Sequence, residues 1–433
     1  MYGAKIILYE DFGWPRLLPL VYTRPTFLLL CGMETLWETT VRAVEAHRPL
    51  PAGPTVWVRE HLAELASEKL GVEVNRAAAG PALLLNGRAR WRRLPDLDEP
   101  PLQETGWVGT SGDGKIVCVA APAGLAAQLS PAVLLDEART SAALAGLPRR
   151  DVSDCVSLFD WPWQVVHANP AAIVEDWRRR REEGTGHEVA GSIDAGVHLL
   201  NPAEIRIGHG SRIKPCVVVD AEDGPVWIGN NVRIQPHCYI EGPAYIGDGT
   251  LLQPGAVIRG GASIGPVCKV GGEVEGSVLI GYSNKQHDGF LGHSYIGSFV
   301  NIAADCINSD LKNTYGTVRV PINGREVDSG EQFVGLIVGD HSKAGINVSF
   351  PTGAVVGFCS SIVGPQCPKF VPSFAWIDSG ESVRYDAARG LAIARKVMSR
   401  RNISMSAAEE AAFLAVRKQS LALEHASQLR FGD

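Results

Sequence analysis

From Ile228 to Val270 every sixth residue is aliphatic: Ile228, Ile234, Ile240, Ile246, Leu252, Ile258, Ile264 and Val270. Four residues after each of the first seven sits a small or slender residue, from Val232 and Cys238 to Ala262 and Cys268. A half-buried strand has a period of two and a helix 3.6, so a period of six calls for a chain that turns a corner every six residues. Three such faces close a coil of about 18 residues, and coils stack at the roughly 4.8 Å spacing of paired strands. The large aliphatic side chain then fills the interior of a prism and the small residue fits near its corner. The position after the aliphatic residue (Gly229, Gln235, Glu241 and Gly247, for example) suits a tight, solvated turn. The phase runs back through Ile207, Ile213 and Val219, slips by three residues across Glu222 to Val226, breaks after Val270 and returns at Val338, Ala344, Phe350, Val356 and Ile362. The spacing predicts a parallel β-helix over residues 200–378.

Ahead of the prism the chain alternates between two other patterns. Strand-like Lys5–Tyr9, Thr55–Arg59, Ala82–Asn86 and Ile116–Ala120 are interleaved with helix-like Met33–Ala46, His61–Leu70 and Pro131–Leu144, which predicts an α/β domain over residues 1–165. Ser130 is placed as an N-cap with Pro131 at the first helical position. Within a connector over 166–199, a helix is expected at Pro170–Glu183, capped by Asn169 and stopped by Gly184, with Arg178–Arg181 as a solvated face. After Ile377 the composition shifts to Ala, Arg, Glu and Leu. Amphipathic helices are expected there at Val383–Ser399 and Ser406–Gln428, in a segment 379–433 that covers the open end of the prism. Ser406 and Glu409 have capping-box spacing.

A net charge of −6 over 433 residues gives no reason to expect nucleic acid or an anionic membrane as partner. No apolar run approaches the roughly 20 residues a membrane span needs, and the chain opens on a strand rather than a charged-then-apolar leader. The nine scattered cysteines, without a C-x-x-C pair, suit buried thiols in a reducing compartment. A cytoplasmic chain is the expectation.

The interruption after Val270 is where chemistry is expected, because sites arise where loops leave a regular scaffold. Lys285, His287, His293, Tyr295, Asn301, Asn308 and Asp310 crowd into it, followed by a protrusion from Asn308 to Phe333 with a type I′ hairpin signal at Asn323-Gly324. The segments Gly272–Ser277, Gly292-His293-Ser294-Tyr295-Ile296-Gly297, Val300–Ala304 and Asn308–Asp310 resemble the acetyltransferase half of bifunctional UDP-N-acetylglucosamine pyrophosphorylase/glucosamine-1-phosphate N-acetyltransferases, in a divergent bacterial branch. The resemblance implies a Rossmann-like, nucleotidyltransferase-like α/β domain and a left-handed parallel β-helix with C-terminal helices. It also implies a homotrimer that binds acetyl-CoA between adjacent prisms. Carried over by position, the general base falls on His293. The family histidine stands three residues before its tyrosine while His293 stands two before Tyr295, so His287 is kept as the alternative. Arg259 and Lys285 would bind the sugar phosphate, Tyr295, Asn301 and Asn308 the sugar, and Ala304 and Gly345 would line the acetyl-CoA channel.

The stretch Gly13–Pro25 resembles the G-x-G-T-R-L-x-P-L-T-x-x-x-P-K loop of sugar-phosphate nucleotidyltransferases, with Arg16, Pro19, Leu20 and Pro25 matching. Tyr9-Glu10-Asp11-Phe12 replaces the glycine run, Thr26 the lysine, and Arg88 in Leu85-Asn86-Gly87-Arg88 stands where a magnesium-binding aspartate would be. Arg16 and Asn86 are the nucleotide-binding candidates. Glu10 and Asp11 are expected to repel phosphate, and Mg2+ enters only if this domain is active. Two functions follow: an acetyl-CoA-dependent N-acetyltransferase acting on an amino-sugar phosphate, or an active sugar-1-phosphate nucleotidyltransferase with a structural or regulatory β-helix.

Overall fold

A computed structural model describes residues 4–47, 53–96, 106–185, 188–379 and 381–425. The N-terminal domain is built on a six-stranded mixed sheet in the order Thr55–Trp57, Lys5–Tyr9, Ala82–Asn86, Ile116–Ala121, Trp107–Thr110, Arg149–Asp151. The first three strands are parallel, and Ile116–Ala121 runs antiparallel to both of its neighbours. The helix expected at Met33–Ala46 runs Leu36–Glu45, opened by a capping box of Thr35 and Glu38. Ser130 caps as expected, but the helix breaks at Leu135 and resumes at Glu137–Ala143, where Asp136 supplies a second cap.

The remainder of the chain is a left-handed parallel β-helix followed by two helices. One face is eleven-stranded, a second nine-stranded, and a third has six strands from His198–Leu200 to Phe290–Gly292. The aliphatic row lines the interior, and the small residues four places on, such as Ala244, Ala256 and Cys268, are fully buried at the corners. The tight turn sits elsewhere than expected. The residue three places after the aliphatic takes positive φ (Asn231 at 54°, His237 at 64°, Val267 at 57°). The glycine directly after the aliphatic instead allows coils to touch: a Cβ on Gly265 would stand 2.0 Å from the Ile280 carbonyl oxygen.

The stacking also does not break after Val270. Val274, Leu279, Lys285, Leu291, Ile296 and Ile302 carry the interior row through that region, with Lys285 paired in register between Val270 and Ile302. Shortened coils shift the phase there. Only the protrusion leaves the prism; its hairpin, Arg319–Ile322 with Arg325–Asp328, turns at Asn323 and Gly324, both at positive φ as type I′ requires.

The connector helix runs Pro162–Glu182, eight residues longer at its start than expected, with Pro170 inside it. Asn169 is no cap but a buried bridge. Its amide nitrogen donates to the Gly261 carbonyl and Ser263 Oγ, and its carbonyl accepts from Gly32 N at 2.7 Å. Arg178 and Arg181 are exposed, as expected of a solvated face, but Arg179 and Arg180 are half-buried. Arg179 and Arg180 pair with Glu34, Arg181 with Glu204, and the guanidinium groups of Arg180 and Arg206 lie 4.6 and 4.1 Å from the ring centre of Trp227.

The end of the prism is met by the strand Glu381–Arg384, antiparallel to Ala375–Asp378. The first of the following helices, Ala387–Ser399, therefore starts later than expected, whereas the second, Ala407–Leu423, starts at its expected cap Ser406; its predicted end at Gln428 lies outside the described residues. They do not stop the open end. Phe413 packs against His341, Phe358 and Phe374 on a corner of the prism, and Lys69 of the α/β domain pairs with Glu409. Ser406 and Glu409 form the expected capping box. No helix among the described residues is long and apolar enough to cross a membrane.

Candidate active site

His293 stands at the corner between the third face and the strand Tyr295–Ile296, with φ of 43°. Its Nδ1 lies 2.8 Å from Asp310 Oδ2, at the root of the protrusion. Gly292 makes this approach available, since a Cβ there would meet Asp310 Oδ2 at 2.3 Å. Asn308 fixes the backbone beneath: its Oδ1 accepts from Gly292 N and its Nδ2 donates to the Gly292 carbonyl. Buried in this way, Asn308 positions the histidine turn rather than facing a sugar, as the resemblance had implied. Two groups that no sequence pattern places here complete the surroundings. Phe333 lies 5.1 Å from the His293 ring, and His167 of the connector helix lies 6.0 Å away, its Nε2 against the Phe333 carbonyl.

Two implied ligands of the substrate are not available to it. Tyr295 is fully buried between prism and α/β domain, its hydroxyl donating to the Leu30 carbonyl at 2.9 Å, and burial holds its pKa well above the usual phenol value. Lys285 occupies an interior position. Its ammonium donates to the carbonyls of Gly271, His287 and Asp288, and burial lowers its pKa to about 8. It ties down the turn that carries His287, whose side chain is exposed. Arg259 is half-exposed on the third face, two coils before Gly292, and pairs with Glu273 and Glu241. Asn301 accepts from Asn284 Nδ2 at 3.1 Å. Ala304 and Gly345 are half-buried in neighbouring coils, bridged where Asn347 N donates to the Ala304 carbonyl.

In the N-terminal domain the loop after the first strand is filled by ion pairs. Glu10 takes Arg59 through both oxygens, Asp11 takes Arg88 through both, and Arg88 continues to Asp160. Glu10 and Asp11 are thus neutralised, and the expected repulsion of phosphate gives way to a different obstacle: the arginines are spent on them. The Arg88 guanidinium lies over Gly13, where a Cβ would meet it at 2.6 Å. Asp160 is buried, which alone would raise its pKa, yet hydrogen bonding from Lys115 and the charge of Arg88 hold it down to about 2. Arg16 pairs with Asp160 at 2.8 Å, and Asn86 is buried, donating to Asp11 and to the Ile116 carbonyl. These carboxylates do not fit a magnesium ion, because each is already engaged by a fixed cation.

Residues 6–184 match the family described as sugar nucleotidyl transferase, and residues 225–260 match the bacterial transferase hexapeptide repeat. The bifunctional protein GlmU of Methanococcus maripaludis is 34% identical over 95 residues, 22% of this chain and 23% of its own length. A bifunctional sugar-1-phosphate nucleotidylyltransferase/acetyltransferase of Sulfurisphaera tokodaii is 32% identical over 85 residues, 20% of this chain and 21% of its own. The matched segments thus span under a quarter of those relatives. Among solved structures, a Francisella novicida UDP-N-acetylglucosamine acyltransferase overlaps 48% of this chain and 72% of its own, at 16% identity and a TM-score of 0.29. The resemblance read in the sequence is borne out in both parts of the chain.

Proposed function

We propose, for a chain that joins a sugar nucleotidyl transferase domain to a hexapeptide-repeat prism, that the prism transfers an acetyl group from acetyl-CoA to the amine of an amino-sugar phosphate. The observation that carries this reading is the contact between His293 Nδ1 and Asp310 Oδ2 at 2.8 Å. A carboxylate on one ring nitrogen orients the imidazole and stabilises its protonated form, the arrangement of a general base. The base would take a proton from the sugar ammonium, the freed amine would attack the thioester carbonyl, and coenzyme A would leave as its thiol. Arg259 and Asn301 remain as substrate contacts, and Ala304 and Gly345 as the wall along which acetyl-CoA lies between prisms of a homotrimer. With Lys285 and Tyr295 buried, the phosphate would rest on Arg259.

His287 is a second candidate for the base, favoured by its exposure on a turn fixed by Lys285. The test is acetyl transfer by His293→Ala and His287→Ala, with glucosamine 1-phosphate as acceptor. Loss of a general base lowers kcat by roughly 10²- to 10⁴-fold and leaves acetyl-CoA affinity nearly unchanged. If His287→Ala is the damaging change and His293→Ala the mild one, the base is His287. If neither matters, acyl transfer at this corner is wrong.

The N-terminal domain is proposed to be slow or inactive as a nucleotidyltransferase, since its loop lacks the glycine run that brings backbone donors to a phosphate and its carboxylates are each paired with a cation. Magnesium-dependent pyrophosphate release from UTP and a sugar 1-phosphate by the full chain is expected to be at background. Robust turnover would restore the alternative reading.

A further inference from the structure

The corner at His293 is not built by the prism coils alone. Asp310, at the root of the protrusion, holds His293 Nδ1, and Phe333, where the protrusion returns, lies against the His293 ring. The returning segment is stitched to both partners: Val334 N donates to the Asp310 carbonyl and Gly335 N to the His293 carbonyl, each at 2.9 Å. A backbone shift at Phe333 is therefore felt at His293 and at its carboxylate together.

His167 fixes that segment from outside the prism. Its Nε2 donates to the Phe333 carbonyl at 2.9 Å, and Glu331 of the same segment lies 3.9 Å from that nitrogen. His167 belongs to the helix Pro162–Glu182 and falls within residues 6–184, which match the sugar nucleotidyl transferase family. The imidazole is delivered from a fixed base, because two residues on Asn169 ties the helix to Gly32 on one side and to Gly261 and Ser263 on the other. The far end of the protrusion is held by the same domain. Val318, Val320 and Ile322 are buried in a core shared with Phe159 and Trp163, and Asn323 Nδ2 donates to the Pro15 carbonyl at 3.0 Å. A loop that carries functional groups keeps its geometry only if a rigid scaffold holds it, and this loop is held at root and tip by the α/β domain.

We infer that the α/β domain serves the acyl-transfer corner as a scaffold that sets the protrusion over His293, and that His167 is the positioning residue through which it acts. The inference rests on the acyl-transfer reading for its effect on rate, but its geometry is tested without it. His167→Leu keeps bulk and removes the donor, His167→Gln keeps a donor, and Asn323→Gly keeps the positive φ of the hairpin turn while releasing its tip. In the full chain, the rate at which diethyl pyrocarbonate modifies His293, followed by mass spectrometry of its peptide, should rise about two- to tenfold in His167→Leu, as the loss of one hydrogen bond implies. It should rise in Asn323→Gly as well and stay at the parent rate in His167→Gln. Acetyl transfer to glucosamine 1-phosphate should lose about tenfold or more in kcat in His167→Leu, with the KM for acetyl-CoA within about threefold of the parent, and His167→Gln should restore kcat. The inference is overturned if neither His167→Leu nor Asn323→Gly changes the reactivity of His293, or if His167→Gln is as altered as His167→Leu. A parent chain that transfers no acetyl group would sink the acyl-transfer reading alone, and the reactivity of His293 would then decide the scaffold role.

Discussion

Lys285 occupies a row of the prism otherwise filled by aliphatic side chains. Its place was legible, for Leu279, Lys285 and Leu291 keep the six-residue step; its charge made the step look like a break. Tyr295 was misassigned for a different reason. It points outward next to interior Ile296, and a single sequence does not say which outward face a second domain will cover. Burial lowers the Lys285 pKa from 10.5 to about 8. The unfolded chain therefore binds more protons than the folded one between about pH 8 and 10.5, so this group's contribution to stability rises with pH across that window. Below pH 8 the cost of the buried charge is fully present. Lys285→Met should accordingly remove a rise of about 3 kcal/mol between pH 8 and 10.5, followed by urea denaturation at each pH. An unchanged pH slope in the variant would show that the ammonium is well solvated by its three carbonyls.

At the scale of elements, caps were easier to read than helix lengths. Ser130 and the Ser406–Glu409 box are local chemistry and hold. Pro170 reads as a helix start with Asn169 as its cap, yet it lies inside the helix, where a proline costs about 3 kcal/mol. Here its ring packs against Gly261 of the prism, a tertiary contact no local rule contains. The loop Thr23-Arg24-Pro25 shows the same limit. Its likeness to a phosphate loop points toward nucleotide, whereas Thr23 Oγ1 and Arg24 both donate to Asp340 Oδ2, at 2.7 and 2.6 Å. Arg24 also reaches Ser298, and Asp340 accepts from Ser298 N. The loop is a latch between domains. A double-mutant cycle on Arg24→Ala and Asp340→Ala should give a coupling of about 0.5–3 kcal/mol, read from chemical denaturation of the full chain. Additive losses would mean that the ion pair contributes nothing beyond its separate packing.

Over the whole molecule, the two architectures were legible because each is a repeated pattern: period six for the prism, alternation for the α/β domain. How the two meet was not, since that junction rests on single residues far apart in sequence. Two of them are histidines, His341 buried and His61 half-buried. His61 Nε2 donates to the Tyr22 carbonyl at 3.1 Å, and burial, with Arg59 nearby, lowers its pKa to about 4. His341 stacks on Phe299, and burial, with Lys343 and Arg24 nearby, lowers its pKa to about 3. Both start from an ordinary value of 6.5. Between that value and their folded pKa values, the unfolded chain takes up protons that the folded chain refuses. Stability from these groups is complete above about pH 6.5 and is lost as the pH falls toward 4. Each should cost about 2 kcal/mol on going from pH 6.5 to 5, before most carboxylates begin to titrate. His341→Phe keeps a ring in the stack while removing the titration, so its melting temperature should fall less than that of the parent between pH 7 and 5. Adding His61→Gln should flatten the profile further. If the parent and the double variant lose the same number of degrees, acid does not act through this junction, and the two histidines are already balanced by groups in the unfolded chain.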